Sequence, residues 1–278
     1  MSLSAPARPS PRWRPARPIE GLALLAALGL GLPVGVLVAR ALLDGSLLAV
    51  GGLRVVLDGL ALSLTTTAVS LVCTVAIGLP LAIVLARRPF RGSTILETVI
   101  DLPIVLPPSV AGLALLLLLG RRGVLGDPLH AIGLEIPFTT LAVVLAQTFV
   151  SAPFFIRSAR TGFAAVDRDL EDAARVDGAT ERQVFTAVTV PLARGALAAG
   201  LVMSWARSLG EFGATIMFAG NIEGRTQTLP LVVYGEFQGG DLDGSIAAAA
   251  ILVLAAFGVL VAVRALRWGR VLDIRGVV

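Results

Sequence analysis

Lysine is absent from this 278-residue chain: all 23 basic residues are arginine. Without lysine the chain can build neither a Walker A phosphate loop nor a Schiff base. One cysteine, Cys73, and one histidine, His130, exclude an intrachain disulfide and a Cys/His metal cluster. Charge is scarce as well, at 15% of residues, against about 25% in soluble domains. So few charges cannot cover a water-exposed surface. What is abundant is apolar: 56% of residues are hydrophobic and the mean hydropathy is +0.87. Lipid is therefore the expected main solvent.

Charge-free windows mark the expected spans at residues 21–39, 59–86, 102–120, 136–156 and 244–263. Each is near or above the roughly 20 residues a helix needs to cross the hydrocarbon core. A sixth window, 195–222, has the right length but carries Arg207 and Glu211. It reads as a span with a polar interior. None of the runs alternates in polarity, so a strand barrel is not indicated. The expected architecture is all-α and polytopic, with about six transmembrane helices.

The arginines orient it. Arg8, Arg12, Arg14 and Arg17 precede the first span; Arg87, Arg88 and Arg91 follow the second. Arg157, Arg160, Arg168, Arg175, Arg182 and Arg194 lie between the fourth and fifth. Arg264, Arg267, Arg270 and Arg275 end the chain. These 17 of 23 fall on one side of a six-span topology, while Arg40, Arg54, Arg121, Arg122 and Arg225 fall on the other. The positive-inside rule puts both termini in the cytoplasm. Basic character is here a topology signal, and no nucleic-acid partner is expected. Residues 1–19 read as a Pro- and Arg-rich, disordered cytoplasmic tail. Residues 20–42 read as an uncleaved additional N-terminal transmembrane helix, because the apolar run outlasts a signal-peptide core. Residues 57–266 form the expected transmembrane domain, with a loop at 158–192, and 267–278 a second cytoplasmic tail. No internal repeat is visible, which counts against a secondary transporter built from two related halves.

The longest hydrophilic stretch, 157–194, predicts two helices. In the first, Val166, Leu170, Ala173 and Ala174 share one apolar face. Acidic residues crowd its early turns, where the macrodipole favours anions, and Gly178 ends it in the left-handed region. Thr180 and Gln183 have capping-box spacing and start the second helix, which stops at Pro191. Ala173, Ala174 and Gly178 allow another backbone to approach. On spacing alone, a hairpin packed on its own protein and a docking knob are both open.

These residues carry a resemblance. Glu171-x-Ala173-Ala174-x-x-x-Gly178, followed by Phe185 and Pro191, resembles the signature loop of ATP-binding-cassette (ABC) importer permeases; Asp172 is a mild departure. The resemblance implies a type I ABC importer permease, with this loop as a cytoplasmic coupling helix seated in an ATPase subunit. Glu171, Ala173, Ala174, Gly178 and Phe185 are then the coupling residues. The stretches 206–215, 218–230 and 102–112, with Gly120-Arg-Arg-Gly123, are similar to permease subunits of molybdate importers. Related tungstate and sulfate permeases share the Gly-Glu-Phe-Gly element. The implied partners are an ATPase carrying ATP and magnesium, an extracytoplasmic oxyanion-binding protein and a second copy of the chain. No cofactor or metal is expected in this chain, and no covalent chemistry.

For the pathway, the candidates are Pro107, Pro108, Arg207, Glu211 and Gly213. Arg207 and Glu211 are four apart, hence on one helical face. A mid-membrane charge costs about 2.5–3.5 kcal/mol or more, so pairing is expected. Arg207 either presents positive potential to a dianion, with Glu211 preventing a trap, or the pair locks the fifth span to its neighbours. Pro103, Pro107 and Pro108 bend the third span, lining a pore or kinking harmlessly. Gly210, Gly213 and Gly220 permit close helix crossing. Residues 226–237 predict a short surface or re-entrant helix outside. His130 and Cys73 are given no special role. The alternative function is an ATP-independent secondary transporter or channel for an anion, for which Arg207 and Glu211 alone could couple ions. A membrane-embedded enzyme lacks a convergent set of catalytic groups, and a scaffold that only binds an ATPase is a further rival.

Overall fold

The computed structural model describes residues 17–43, 53–87 and 90–273. The tail up to residue 16, with Arg8, Arg12 and Arg14, lies outside the described residues, as do Arg88 and Arg275. Among the described residues every regular element is a helix. In chain order these are α1 (Arg17–Leu43), α2 (Leu53–Arg87), α3 (Ser93–Val105), α4 (Pro108–Leu119), α5 (Gly126–Ala131) and α6 (Thr140–Ala164). Then come α7 (Arg168–Val176), α8 (Glu181–Val184), a π-helical turn (Phe185–Thr189), α9 (Val190–Leu209), α10 (Gly213–Phe218), α11 (Leu229–Gln238) and α12 (Leu242–Asp273). Five stretches are long and apolar enough to cross a membrane, and α3 with α4 forms a sixth, broken one.

The centre is α6, packed between α2 and α9. Small residues make that possible. A Cβ on Gly78 would lie 3.0 Å from the Phe155 and Ile156 side chains; one on Gly200 would lie 2.9 Å from Ser158 Cβ. In lipid, apolar surface gives helices no drive to associate, so close packing and interhelical hydrogen bonds must supply it. Both are present. Ser158 Oγ donates to the Ala196 carbonyl (2.7 Å), and Ser204 Oγ to the Ser151 carbonyl (2.8 Å). The apolar filling includes Ala82, Phe155, Ala159 and Phe163. A second cluster, with Leu115, Val143, Val150 and Phe218, joins α4, α6 and α10. A third, with Val56, Leu229, Val232 and Ala248, joins α2, α11 and α12. α1 packs on α12 and keeps its apolar surface outside the fold.

Five sequence expectations change. The third span is not one helix over 102–120: α3 begins nine residues earlier, at Ser93, and meets α4 at a 117° bend. Charge hid its start. Glu97 and Asp101 lie within α3 and pair with Arg160 and Arg157 of α6, each at 2.9 Å. The window 195–222 is likewise two pieces, α9 and α10, separated at Gly210–Phe212. Pro191 does not stop the helix begun at Glu181. Val190 N–H reaches the Phe185 carbonyl, and the widened turn carries the chain through Pro191, in the first turn of α9. The loop placed at 158–192 is shorter accordingly, since α6 runs to Ala164. Finally, α12 continues to Asp273, into the expected tail. The short helix at 226–237 is α11; its first half is buried, and Leu229 N–H donates to Ser63 Oγ of α2 at 2.7 Å.

Candidate functional site

Two places combine polar chemistry with breaks in regular structure: a knob made by α7 and α8 at one end of the bundle, and a junction between broken helices within it.

The knob follows its local sequence. Asp167 caps α7 by accepting the Asp169 N–H (3.0 Å). Gly178 has φ +88°, and Gly178 and Ala179 N–H close the helix on the Arg175 and Ala174 carbonyls. Thr180 and Gln183 form the expected reciprocal capping box. Between the two helices Arg175 grips Glu181 with two bonds, at 2.6 and 3.0 Å, and Asp172 with a third at 2.7 Å. The Glu181 and Asp172 hydrogen bonds hold the Arg175 guanidinium above its ordinary pKa. The bend between α7 and α8 is thereby pinned.

The five expected coupling residues separate into two groups. Ala173 and Gly178 face outward and Ala174 is half-buried. Leu170 is 50% exposed and Val176 87%. An apolar patch on a helix this polar is an unsatisfied surface. Val166, expected on the same face, instead lies in the core. Glu171 and Phe185 point inward. Phe185 packs against Phe163, ring centroids 6.2 Å apart. Glu171 Oε1 accepts from Arg87 Nη2 (2.6 Å) at the end of α2 and from Thr189 Oγ1 (2.5 Å) in the π-helical turn. These groups line a cleft of about 460 Å³ beneath the knob. Arg87 was legible as an orientation signal only, and nothing in the sequence singled out Thr189.

At the junction, Pro107 and Pro108 have no N–H, so the carbonyls of Pro103 and Ile104 lose their usual helical donors. Residues 107–110 are exposed on the chain's surface. Backbone groups freed at this depth must face protein or a water-lined space. The structure brings Pro108 to Gly213, with Pro107 preceding it as the N-cap of α4: a Cβ on Gly213 would lie 2.7 Å from Pro108 Cβ, and one on Gly112 2.5 Å from the Ala214 carbonyl oxygen. The two breaks thus pack against each other. Arg207 Nη1 and Glu211 Oε2 are 2.6 Å apart. Glu211 lies beyond the end of α9, so the pair is not formed on one helical face, as its spacing suggests. Glu211 is 1% exposed, and its Oε1 accepts the Ala214 N–H (2.7 Å) at the start of α10. The Arg207 side chain remains 28% exposed. Gly210 caps α9, and Gly220, at φ +71°, lies beyond α10.

A row of buried hydroxyls on α2, not singled out from the sequence, reaches the end of α9 at Ser70. Ser63, Thr66, Thr67, Ser70 and Thr74 are buried along α2. Ser70 Oγ meets Ser208 Oγ at 3.2 Å, and Thr148 Oγ1 reaches the Ser70 carbonyl at 3.5 Å. Their helical period within an apolar window was the available signal. On the opposite end from the knob, Glu135 Oε1 lies 3.6 Å from both Arg121 and His130.

Residues 78–268 match the binding-protein-dependent transport system inner membrane component family. The chain belongs to that family: it is a multi-pass inner-membrane transport permease subunit, with the fold of ABC importer permeases. It is 45% identical to the molybdenum transport system permease protein ModB of Mycobacterium tuberculosis over 206 residues, covering 74% of this chain and 78% of that protein. It is 40% identical to the probable transport system permease protein NifC of Clostridium pasteurianum over 205 residues, covering 73% and 71%. A bacterial ABC transporter involved in alginate import superposes with a TM-score of 0.67 at 17% identity, covering 89% of this chain and 94% of that one.

Proposed function

We propose that the chain is the permease subunit of an ATP-driven importer for molybdate, with tungstate and sulfate as related tetrahedral oxyanions. The observation that carries this is the outward apolar face of α7 in a chain without lysine. The molecule has a surface for a motor and no phosphate loop to be one. The substrate follows the ModB relatives; the likeness to the alginate importer supports the fold only.

In this reading a separate ATPase binds ATP and magnesium and seats Leu170, Ala173 and Val176. Two copies of the permease enclose the pathway, which suits the exposed 107–110 segment: a single chain leaves it as an open wall. A periplasmic or lipid-anchored binding protein delivers the anion at the end bearing Arg121 and His130. The knob and both termini are cytoplasmic. Arg207 offers positive potential along the wall while Glu211 neutralises it, so a dianion is attracted without being trapped. Nothing covalent happens to the substrate.

The test is reconstitution in proteoliposomes with the ATPase subunit and binding protein, comparing uptake of molybdate, tungstate and sulfate. Molybdate uptake is expected to require ATP and both partners. Ala174→Trp or Gly178→Trp is expected to uncouple hydrolysis from uptake while the protein stays in the membrane. Equal uptake without the ATPase would support the secondary-transporter reading instead.

A further inference from the structure

We propose that a groove between α2, α9 and α12 is a binding site for one anionic phospholipid, whose phosphate sits on Arg194. Such a site needs only that the chain lies in a membrane, whatever the chain transports.

The groove is built on one stripe of α9. Ala198, Leu201, Val202 and Trp205 line it, with Leu71 of α2 and Val259 and Leu260 of α12. Its volume is about 260 Å³, and no lining residue carries a charge. An apolar cavity of this kind stays dry, so within a bilayer its filling is hydrocarbon. The groove is open to that hydrocarbon along α12: Leu260 is 43% exposed, and a Cβ on Gly258 would meet no atom within 4 Å.

Arg194 gives the groove a polar end. At about 100° per residue it falls within the stripe that Ala198, Leu201, Val202 and Trp205 occupy, about 6 Å along α9 from Ala198. It is exposed and, unlike Arg87, Arg157 and Arg160, has no carboxylate partner among the described residues. α9 itself carries no acidic residue. From Arg194 to Trp205 the helix rises about 16 Å. That matches one leaflet, half of a hydrocarbon core about 30 Å thick. A cation at one end of a dry slot one leaflet deep fits an amphiphile, with the phosphate on the arginine and an acyl chain inside. A helix of a second copy, about 10–12 Å across with its side chains, is too wide to enter a groove of this volume.

Trp205 reports occupancy. Trp13→Phe with Trp268→Phe leaves it as the single tryptophan of the full chain. This protein is placed in phosphatidylcholine vesicles, and lipid with brominated acyl chains is titrated in, either as phosphatidylglycerol or as phosphatidylcholine. Bromine quenches an indole only at contact. Quenching is expected at about fivefold lower mole fraction of the phosphatidylglycerol, the effect of one arginine on an anionic lipid. Arg194→Gln, at an exposed position, should merge the two curves while quenching persists. Ala198→Phe fills the groove and should weaken quenching by both lipids. Overlapping curves with Arg194 intact would overturn the proposal, and so would a preference that survives Arg194→Gln. Quenching by neither lipid would mean that protein covers the groove, a second copy included, and would overturn it as well.

Discussion

Arg207 and Glu211 are the pair whose two members should fail differently. Glu211 is almost wholly buried, and its second oxygen caps α10. Arg207→Ala strands that carboxylate, and removing one partner of a buried pair costs about 3–5 kcal/mol. Glu211→Gln keeps an acceptor for the Ala214 N–H and leaves only a partly exposed guanidinium without its ionic partner. Arg207→Ala is therefore expected to lower the unfolding midpoint in detergent well below that of Glu211→Gln. The double variant should recover most of the loss. If both single variants lowered the midpoint equally, the asymmetry drawn from burial would be wrong. In transport, Glu211→Gln should bind molybdate more tightly and move it more slowly, seen as KM and kcat falling together. Gly178 is a second case. With φ at +88° and open space around its Cα, substitution by alanine meets strain and no clash; that strain is about 1–2 kcal/mol. Faster proteolysis at the knob would report it. The four-residue spacing of Arg207 and Glu211 and the Gly178 turn were legible because both are local. The Arg87–Glu171 pair was not, because its members are 84 residues apart. An arginine at the end of a span looks the same whether it orients the chain or holds a knob.

At the scale of elements, the breaks matter more than the helices. Prolines at 103, 107 and 108 announced a bend in the third span, and they stand at a 117° turn. The start of α3 was hidden because paired carboxylates look like a loop to any test that counts charges. The end of α9 was hidden for the opposite reason: glycines within an apolar window carry no mark that distinguishes packing from termination. What makes the two breaks one site is the contact of α4 with α10, and that contact tolerates no side chain. A Cβ at Gly112 would meet backbone, the Ala214 carbonyl oxygen, which cannot rotate away. Gly112→Ala must therefore part the two helices, at about 1–3 kcal/mol for an overpacked site. It is expected to lower the midpoint and abolish ATP-dependent uptake. Gly195, also helical, has open space at the same position. Gly195→Ala is expected to leave both measurements unchanged, which separates contact from the general effect of losing a glycine.

The whole molecule is polarised along its axis, and that polarity makes the orientation testable. At one end the structure gathers Arg87, Arg157, Arg160, Arg168 and Arg175 around the knob. Four of these are paired with Glu171, Asp101, Glu97, and Asp172 with Glu181. Net charge at that end is thus far smaller than the arginine count implies. Orientation nevertheless depends on the number of arginines near the ends of spans and hardly at all on the acidic residues beside them. The two measures disagree here, and the positive-inside rule decides for arginine number. Ala173 on the knob and His130 at the far end are both exposed, so each can report its side. In a chain whose Cys73 is replaced by serine, Ala173→Cys is expected to react with a membrane-impermeant maleimide only in inside-out vesicles. His130→Cys should react only in right-side-out ones. The reverse pattern would place the knob outside, where no ATPase can reach it, and the outward face of α7 would then need another partner altogether.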